Sequence, residues 1–121
     1  MTYESEVVIA SEVAPGVTFT VFKMSYGRRS ELMRRIKDLA RRHEFLGASE
    51  RLEDRMEAAL LESEINFAYL RWGLRSIHGL TVDGADATPE LLAERGPEDL
   101  FREVLKAVRA QAGLTPEERK N

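Results

Sequence analysis

The stretch from Leu60 to Leu80, LLESEINFAYLRWGLRSIHGL, limits the folds open to this chain more than any other. At about 3.6 residues per turn, Leu60, Phe67, Leu70, Leu74 and Ile77 fall into one row. Leu61, Ile65, Ala68 and Trp72 form a second row, with Tyr69 between the two. A helix with one apolar stripe packs on one layer, whereas a helix with two needs cover on both sides. The segment therefore reads as the core helix of a small domain, ending at Gly79.

The flanking sequence supplies a partner for it. Ser25 is placed to cap a helix from about Gly27 to Leu46. In that helix Leu32, Ile36, Leu39, His43 and Leu46 make the buried stripe. Its other faces carry Arg28, Arg29, Arg34, Arg35, Lys37, Arg41 and Arg42 against Glu31, Asp38 and Glu44. Gly47 is a natural stop. Ser49 then caps a second helix, running from about Glu50 through the central stretch to near His78. Its first half is acidic, with Glu50, Glu53, Asp54, Glu57, Glu62 and Glu64 against Arg51 and Arg55. A Gly-Ala-Ser turn between two long helices gives an antiparallel hairpin, with unlike charges facing each other across its edges.

At the N-terminus, 3–10 and 17–24 are rich in Val, Ile, Phe and Thr, and Pro15-Gly16 between them suits the centre of a type II turn. Val17, Phe19 and Val21 alternate with Thr18 and Thr20, predicting one face on a core and one in water. A lone hairpin is marginal in water, so it must lie on the helices or pair with another chain. After the core helix, Leu80-Thr81-Val82 is extended and Asp83-Gly84 turns the chain. Thr88-Pro89-Glu90 starts a short helix that stops at Gly96. Pro97-Glu98-Asp99 starts another, lined by Leu100, Val104 and Val108 and ended by Gly113. Thr115-Pro116-Glu117 repeats the start signal before a short tail. The fold class is mainly α (α+β). An N-terminal β-hairpin (1–24) precedes a long antiparallel helical hairpin and two shorter C-terminal helices. The reading is of one domain over 1–121, its helical core at 25–113 and a flexible tail at 114–121.

Several function classes are disfavoured. With 121 residues, 43% of them hydrophobic and 32% charged, the chain suits one soluble, helix-rich domain. A net charge of −3 is not that of a general nucleic-acid binder. There is no cysteine, so disulfides, thiolate chemistry and Cys-ligated zinc are excluded. The opening MTYESEVVIA lacks the apolar core of a signal peptide, and no run approaches a membrane span. The two histidines, His43 on an apolar stripe and His78 near a helix end, have no second ligand at metal spacing. Asp83-Gly84-Ala85-Asp86 lacks the rest of a calcium loop. No phosphate loop, nucleophile elbow or zinc motif occurs. The expectation is a non-enzymatic protein without catalytic residues, metal or cofactor.

One resemblance gives a direction. FKMSYGRRSELMRRIKDLARRHEFL, FAYLRWGLRSIHGLTVDGADATPELLAERGPEDLFREVLKAV and the closing GLTPEERKN resemble small proteins encoded among tail-morphogenesis genes of tailed phages and prophages, and within them tail assembly chaperones. The W-G-L-x-x-I-x-G-L-x-x-D-G segment, Trp72 to Gly84, and Arg95-Gly96-Pro97-Glu98 carry most of the likeness, which covers most of the chain after residue 22. The resemblance implies a mainly helical, non-enzymatic protein in the cytoplasm of a bacterial host. Such chaperones coat the tape-measure protein and recruit tail-tube subunits, and many are made in two lengths by a programmed frameshift. The N-terminal strand pair departs from a purely helical chaperone. A helical client requires apolar groups rimmed by charge. Phe67, Leu70, Trp72 and Leu74 are candidate apolar groups, with Trp72 read as buried, and Arg34, Arg35, Arg41 and Arg42 are the candidate rim. The expected partners are the tape-measure or tail-tube protein, with self-association as a further option. The alternative is a small nucleic-acid-binding regulator using the basic helix Arg28–Arg42.

Overall fold

A computed structural model describes residues 1–114. The order is β1 (Glu6–Ala10), β2 (Thr18–Phe22), α1 (Tyr26–Gly47), α2 (Leu52–Gly73), β3 (Leu74–His78), β4 (Thr81–Val82), β5 (Ala85–Asp86), α3 (Pro89–Arg95) and α4 (Glu98–Ala112). The expected arrangement is present: an N-terminal antiparallel hairpin, then long helices, then two shorter ones. The start signal at Thr115 and the tail after it lie outside the described residues. The described chain forms two compact units, one of Met1–Met24 with Tyr69–Gly113 and one built on Ser25–Ala68.

The first unit is built on a three-stranded antiparallel sheet in the order β1-β2-β3. The hairpin forms as the sequence requires. The Val17 N–H donates to the Ala14 carbonyl at 3.1 Å, and Gly16 takes φ +86°, which closes a turn over Pro15-Gly16. The central strand β2 buries Val17, Phe19 and Val21 as expected, but Thr20 is buried too. Thr20 pairs with Val8 on one side and Ser76 on the other, so neighbouring strands wall in a side chain that alternation alone sends to water.

The expected core helix is shorter than its apolar pattern. It stops at Gly73, and Leu74–His78 is the third strand of the sheet. The cause is a bulge. Thr20 pairs with Ser76 but Val21 pairs with Leu74, so Arg75 is an extra residue on β3. Phe19 and Val21 share a face of β2, and their partners Ile77 and Leu74 therefore share one too. Two buried residues three apart look helical in sequence, and here they lie on one face of a bulged strand. Gly79, read as a helix stop, follows this strand with φ +84°.

Helices α3 and α4 complete this unit, with α4 against β2 and α3 against β3. The Thr88 hydroxyl accepts from the Leu91 N–H at 3.1 Å, the cap the Thr-Pro-Glu signal promised. Along α4, Leu100, Val104, Val108 and Ala112 are buried, and Gly113 ends the helix at φ +58°. At the end of α2 a side chain on Gly73 would meet Val108, so the helices approach to the distance glycine permits. Nearby, the Arg109 guanidinium lies 4.5 Å from the centroid of the buried Tyr69 ring. The Glu103 carboxylate accepts from the Ser11 hydroxyl at 2.6 Å and from the Glu12 N–H at 2.8 Å, which ties the hairpin loop to α4. Asp83 and Gly84, both at positive φ, turn β4 into β5 in the manner of a type I′ hairpin.

The second unit contains α1 and most of α2. Ser25 caps α1, its hydroxyl accepting from the Arg28 N–H at 3.3 Å. Gly47 closes α1 without the positive φ expected of a terminating glycine, since Ala48 follows in a right-handed conformation. Ser49 does bridge the turn, accepting from the Arg51 N–H at 3.1 Å and donating to Asp54 at 2.8 Å, and α2 begins three residues later.

Two glycines at almost the same φ give a test of this framework. Gly84 at φ +82° has open space around it, whereas a Cβ on Gly79 would lie against the Gly16 carbonyl. Gly84→Ala is expected to cost about 1–2 kcal/mol, the price of a left-handed residue alone. Gly79→Ala is expected to cost clearly more, because the β-hairpin turn must also move. Urea denaturation of the two variants measures the difference.

Candidate partner-binding surface

Helix α2 shows which side of each apolar row is covered. Ala58, Leu61, Ile65, Tyr69 and Trp72 are buried and recur at three- and four-residue spacing. On the opposite side of the helix, Leu52, Met56 and Leu60 are 71%, 59% and 63% exposed. They stand four residues apart and make one outward stripe. Phe67 continues this side half-buried, and Leu70 is fully buried. The apolar row opposite the core is thus covered toward the C-terminal end of α2 and open over its first turns. Glu53, Glu57 and Glu64 border the stripe on one side.

Helix α1 has a matching open face of the other sign. Leu32, Ile36 and Ala40 are buried, while Leu39, His43 and Leu46 are half-buried. Opposite them Phe45 is 80% exposed. With Arg41, Arg42 and Leu46 it lines a shallow, largely apolar groove. Arg34, Asp38 and Arg41 occupy the same side of the helix, one and more turns before Phe45.

The residues proposed from sequence separate accordingly. Arg34, Arg35, Arg41 and Arg42 are all exposed. Arg35 bonds Glu31 at 2.7 Å within its own helix, and Arg42 reaches Glu57 at 3.9 Å across the hairpin. Arg34 and Arg41 make no ion pair among the described residues. Leu70, Trp72 and Leu74 belong to the core, and Phe67 is half-covered; the outward apolar groups near the turn between α1 and α2 are Phe45, Leu52, Met56 and Leu60 instead. The signal for them was in the sequence: continuing the Leu60 row toward the N-terminus in steps of four reaches Met56 and Leu52.

Other charged groups are occupied locally. His43, expected as a satisfied core residue, is half-buried with Nε2 3.2 Å from the Glu62 carboxylate. His78, expected at a helix end, is exposed on β3 beside the Ser76 hydroxyl at 3.2 Å. Burial pulls the Arg28 guanidinium below the usual arginine value, Glu31 opposes this and Arg35 adds to it. An arginine nevertheless stays protonated at neutral pH. Among the described residues no group of three or more His, Cys, Asp or Glu could hold a metal, and no helix is long and apolar enough to cross a membrane.

No family model matches the chain, and no curated protein or solved structure matches it.

Adjacent leucines test the register of α2 directly. Leu61, at 2% exposure, faces the core, and Leu60 faces outward. Leu61→Ala is expected to destabilise by about 2–5 kcal/mol. Leu60→Ala is expected to stay within about 0.5 kcal/mol. Chemical denaturation in dilute solution measures both.

Proposed function

We propose that this chain is a non-enzymatic assembly protein of phage origin, a tail assembly chaperone that holds the tape-measure or tail-tube protein in the cytoplasm of the bacterial host. The observation that carries the reading is the open face of the two long helices, with Phe45, Leu52, Met56 and Leu60 outward and unlike charges beside them. Large apolar side chains at helical spacing are costly to leave in water unless something covers them. A helical client offers a fitting cover, since an amphipathic helix lays an apolar stripe into such a face. The sequence likeness from residue 22 onward supplies the identity of that client.

The arginines of α1 set its preference. Arg34 and Arg41 project beside Phe45, and a client with acidic groups next to its apolar stripe satisfies them. Exposed pairs of this kind contribute about 0.2–1 kcal/mol each. They select orientation and partner while the apolar contact supplies most of the affinity.

Nucleic-acid binding by Arg28–Arg42 is less well supported. Arg35 and Arg42 already face carboxylates, and Arg28 is partly buried. Asp38 and Glu44 interrupt the row. The outward Phe45 and the leucine stripe have no role in that reading.

Titration calorimetry of the purified chain against the tape-measure and tail-tube proteins of the same source tests the proposal. Binding to one of them is expected, weakened about tenfold or more by Phe45→Asp, as for loss of a central apolar anchor. Absence of binding to both overturns it. Binding to duplex or single-stranded nucleic acid, with an affinity that falls steeply as salt rises, favours the regulator instead.

A further inference from the structure

The two open faces on the helical hairpin complement each other, and we infer that in the absence of a client they are occupied by a second copy of this chain, α1 of each copy lying on α2 of the other. The occupant follows from charge. The stripe Leu52, Met56 and Leu60 is bordered by Glu53, Glu57 and Glu64. Two such stripes brought together would set carboxylates against carboxylates. The face around Phe45 carries Arg34, Arg41 and Arg42, and it offers an apolar centre with the opposite rim.

Both faces belong to the same unit of the same chain, and the inferred pairing uses both at once about a two-fold axis. Each copy gives its basic α1 face and its acidic α2 stripe, and receives the same pair in return. This is the isologous arrangement in which one patch is its own complement. Within one hairpin the unlike charges meet only in part. Arg42 approaches Glu57 at 3.9 Å, while Arg34 and Arg41 make no ion pair among the described residues. Those two arginines remain for the partner, with Glu64 opposite them beside Glu53, whose carboxylate also accepts from the exposed Arg51 guanidinium at 2.8 Å. Like-charge repulsion also disfavours the competing pairings, α1 on α1 and α2 on α2.

The inference goes beyond client binding and does not depend on it, because its test uses the purified chain alone. Sedimentation equilibrium over a range of concentrations is expected to give a reversible dimer. Met56→Glu is expected to shift the dissociation constant at least tenfold toward monomer, with helicity unchanged by circular dichroism. The pairing itself is read from charge reversal. R34E/R41E makes the Phe45 face of one variant acidic like its α2 stripe, and E53K/E64K makes the α2 stripe of the other basic like its Phe45 face. Each variant alone is expected to be monomeric where the parent is dimeric, and an equimolar mixture is expected to recover a heterodimer. A chain that stays monomeric at several hundred micromolar overturns the inference. So does a dimer that R34E/R41E leaves intact. A dimer that fails to bind tail proteins counts against the proposed function alone, and a monomer that binds them counts against the dimer alone.

Discussion

A helix with apolar residues on two opposite sides cannot be satisfied by one neighbour, and α2 is such a helix. Its inner row, Ala58, Leu61, Ile65, Tyr69 and Trp72, is buried from the second turn to the end. Its outer row is covered at Leu70, half-covered at Phe67, and open at Leu60, Met56 and Leu52. The first residues of the helix retain apolar surface that folding of the described chain leaves in water. Hydrophobic stabilisation scales with the area removed from solvent. This stripe has apolar area to gain from a partner, and its position beside the turn between α1 and α2 places it next to Phe45 in sequence.

The sheet depends on a different constraint, the bulge at Arg75. A regular strand places residues three apart on opposite faces, and then either Leu74 or Ile77 would face away from the sheet's apolar side. The extra residue brings both onto the side of Phe19 and Val21. It leaves Arg75 exposed, where its guanidinium donates to Glu6 on the far strand β1 at 2.7 Å. Glycine is needed on both flanks. Gly73 lets α4 approach through Val108, and Gly79 lets the chain leave β3 against the Gly16 carbonyl. The end of α2 is thereby held close to the Val108 side chain of α4, and the exit of β3 close to the backbone of the hairpin turn, approaches that a side chain at either glycine would open.

Much of this was legible in the sequence wherever one local rule acted alone. Ser25 and Thr88 cap helices because their hydroxyls reach a backbone N–H three residues on. Pro15-Gly16 turns the chain because proline and glycine suit the two central positions. Leu74–His78 was not legible, because the bulge gives a strand the three-residue spacing of a helix and nothing local marks Arg75 as the extra residue. Only pairing with β2, more than fifty positions earlier, decides it. Thr20 was misread for a related reason, since alternation reports the two faces of a strand and not the neighbours on either edge. Ala40, small and followed by two arginines, gave little apolar signal of its own, yet it sits four residues after Ile36 on the buried side.

The candidate surface was read correctly in its charge and missed in its apolar part, although the four-residue spacing of Leu52, Met56 and Leu60 carried the signal. A net positive α1 and a net negative first half of α2 follow from counting residues, and the exposed arginines are where that count placed them. The apolar groups were sought among Phe67, Leu70, Trp72 and Leu74, where hydrophobicity is densest. Density is the signature of a core, however, because buried positions are filled by large side chains on every covered side. Surface apolar groups that await a partner are sparser and bordered by charge, as Phe45 is by Arg41 and Arg42, and as Met56 is by Glu53 and Glu57. In a short chain with helices this long, an interaction surface is better sought where an apolar row thins out among charges than where it is richest. On α2 that transition falls between Leu70 and Leu60, on a single side of one helix.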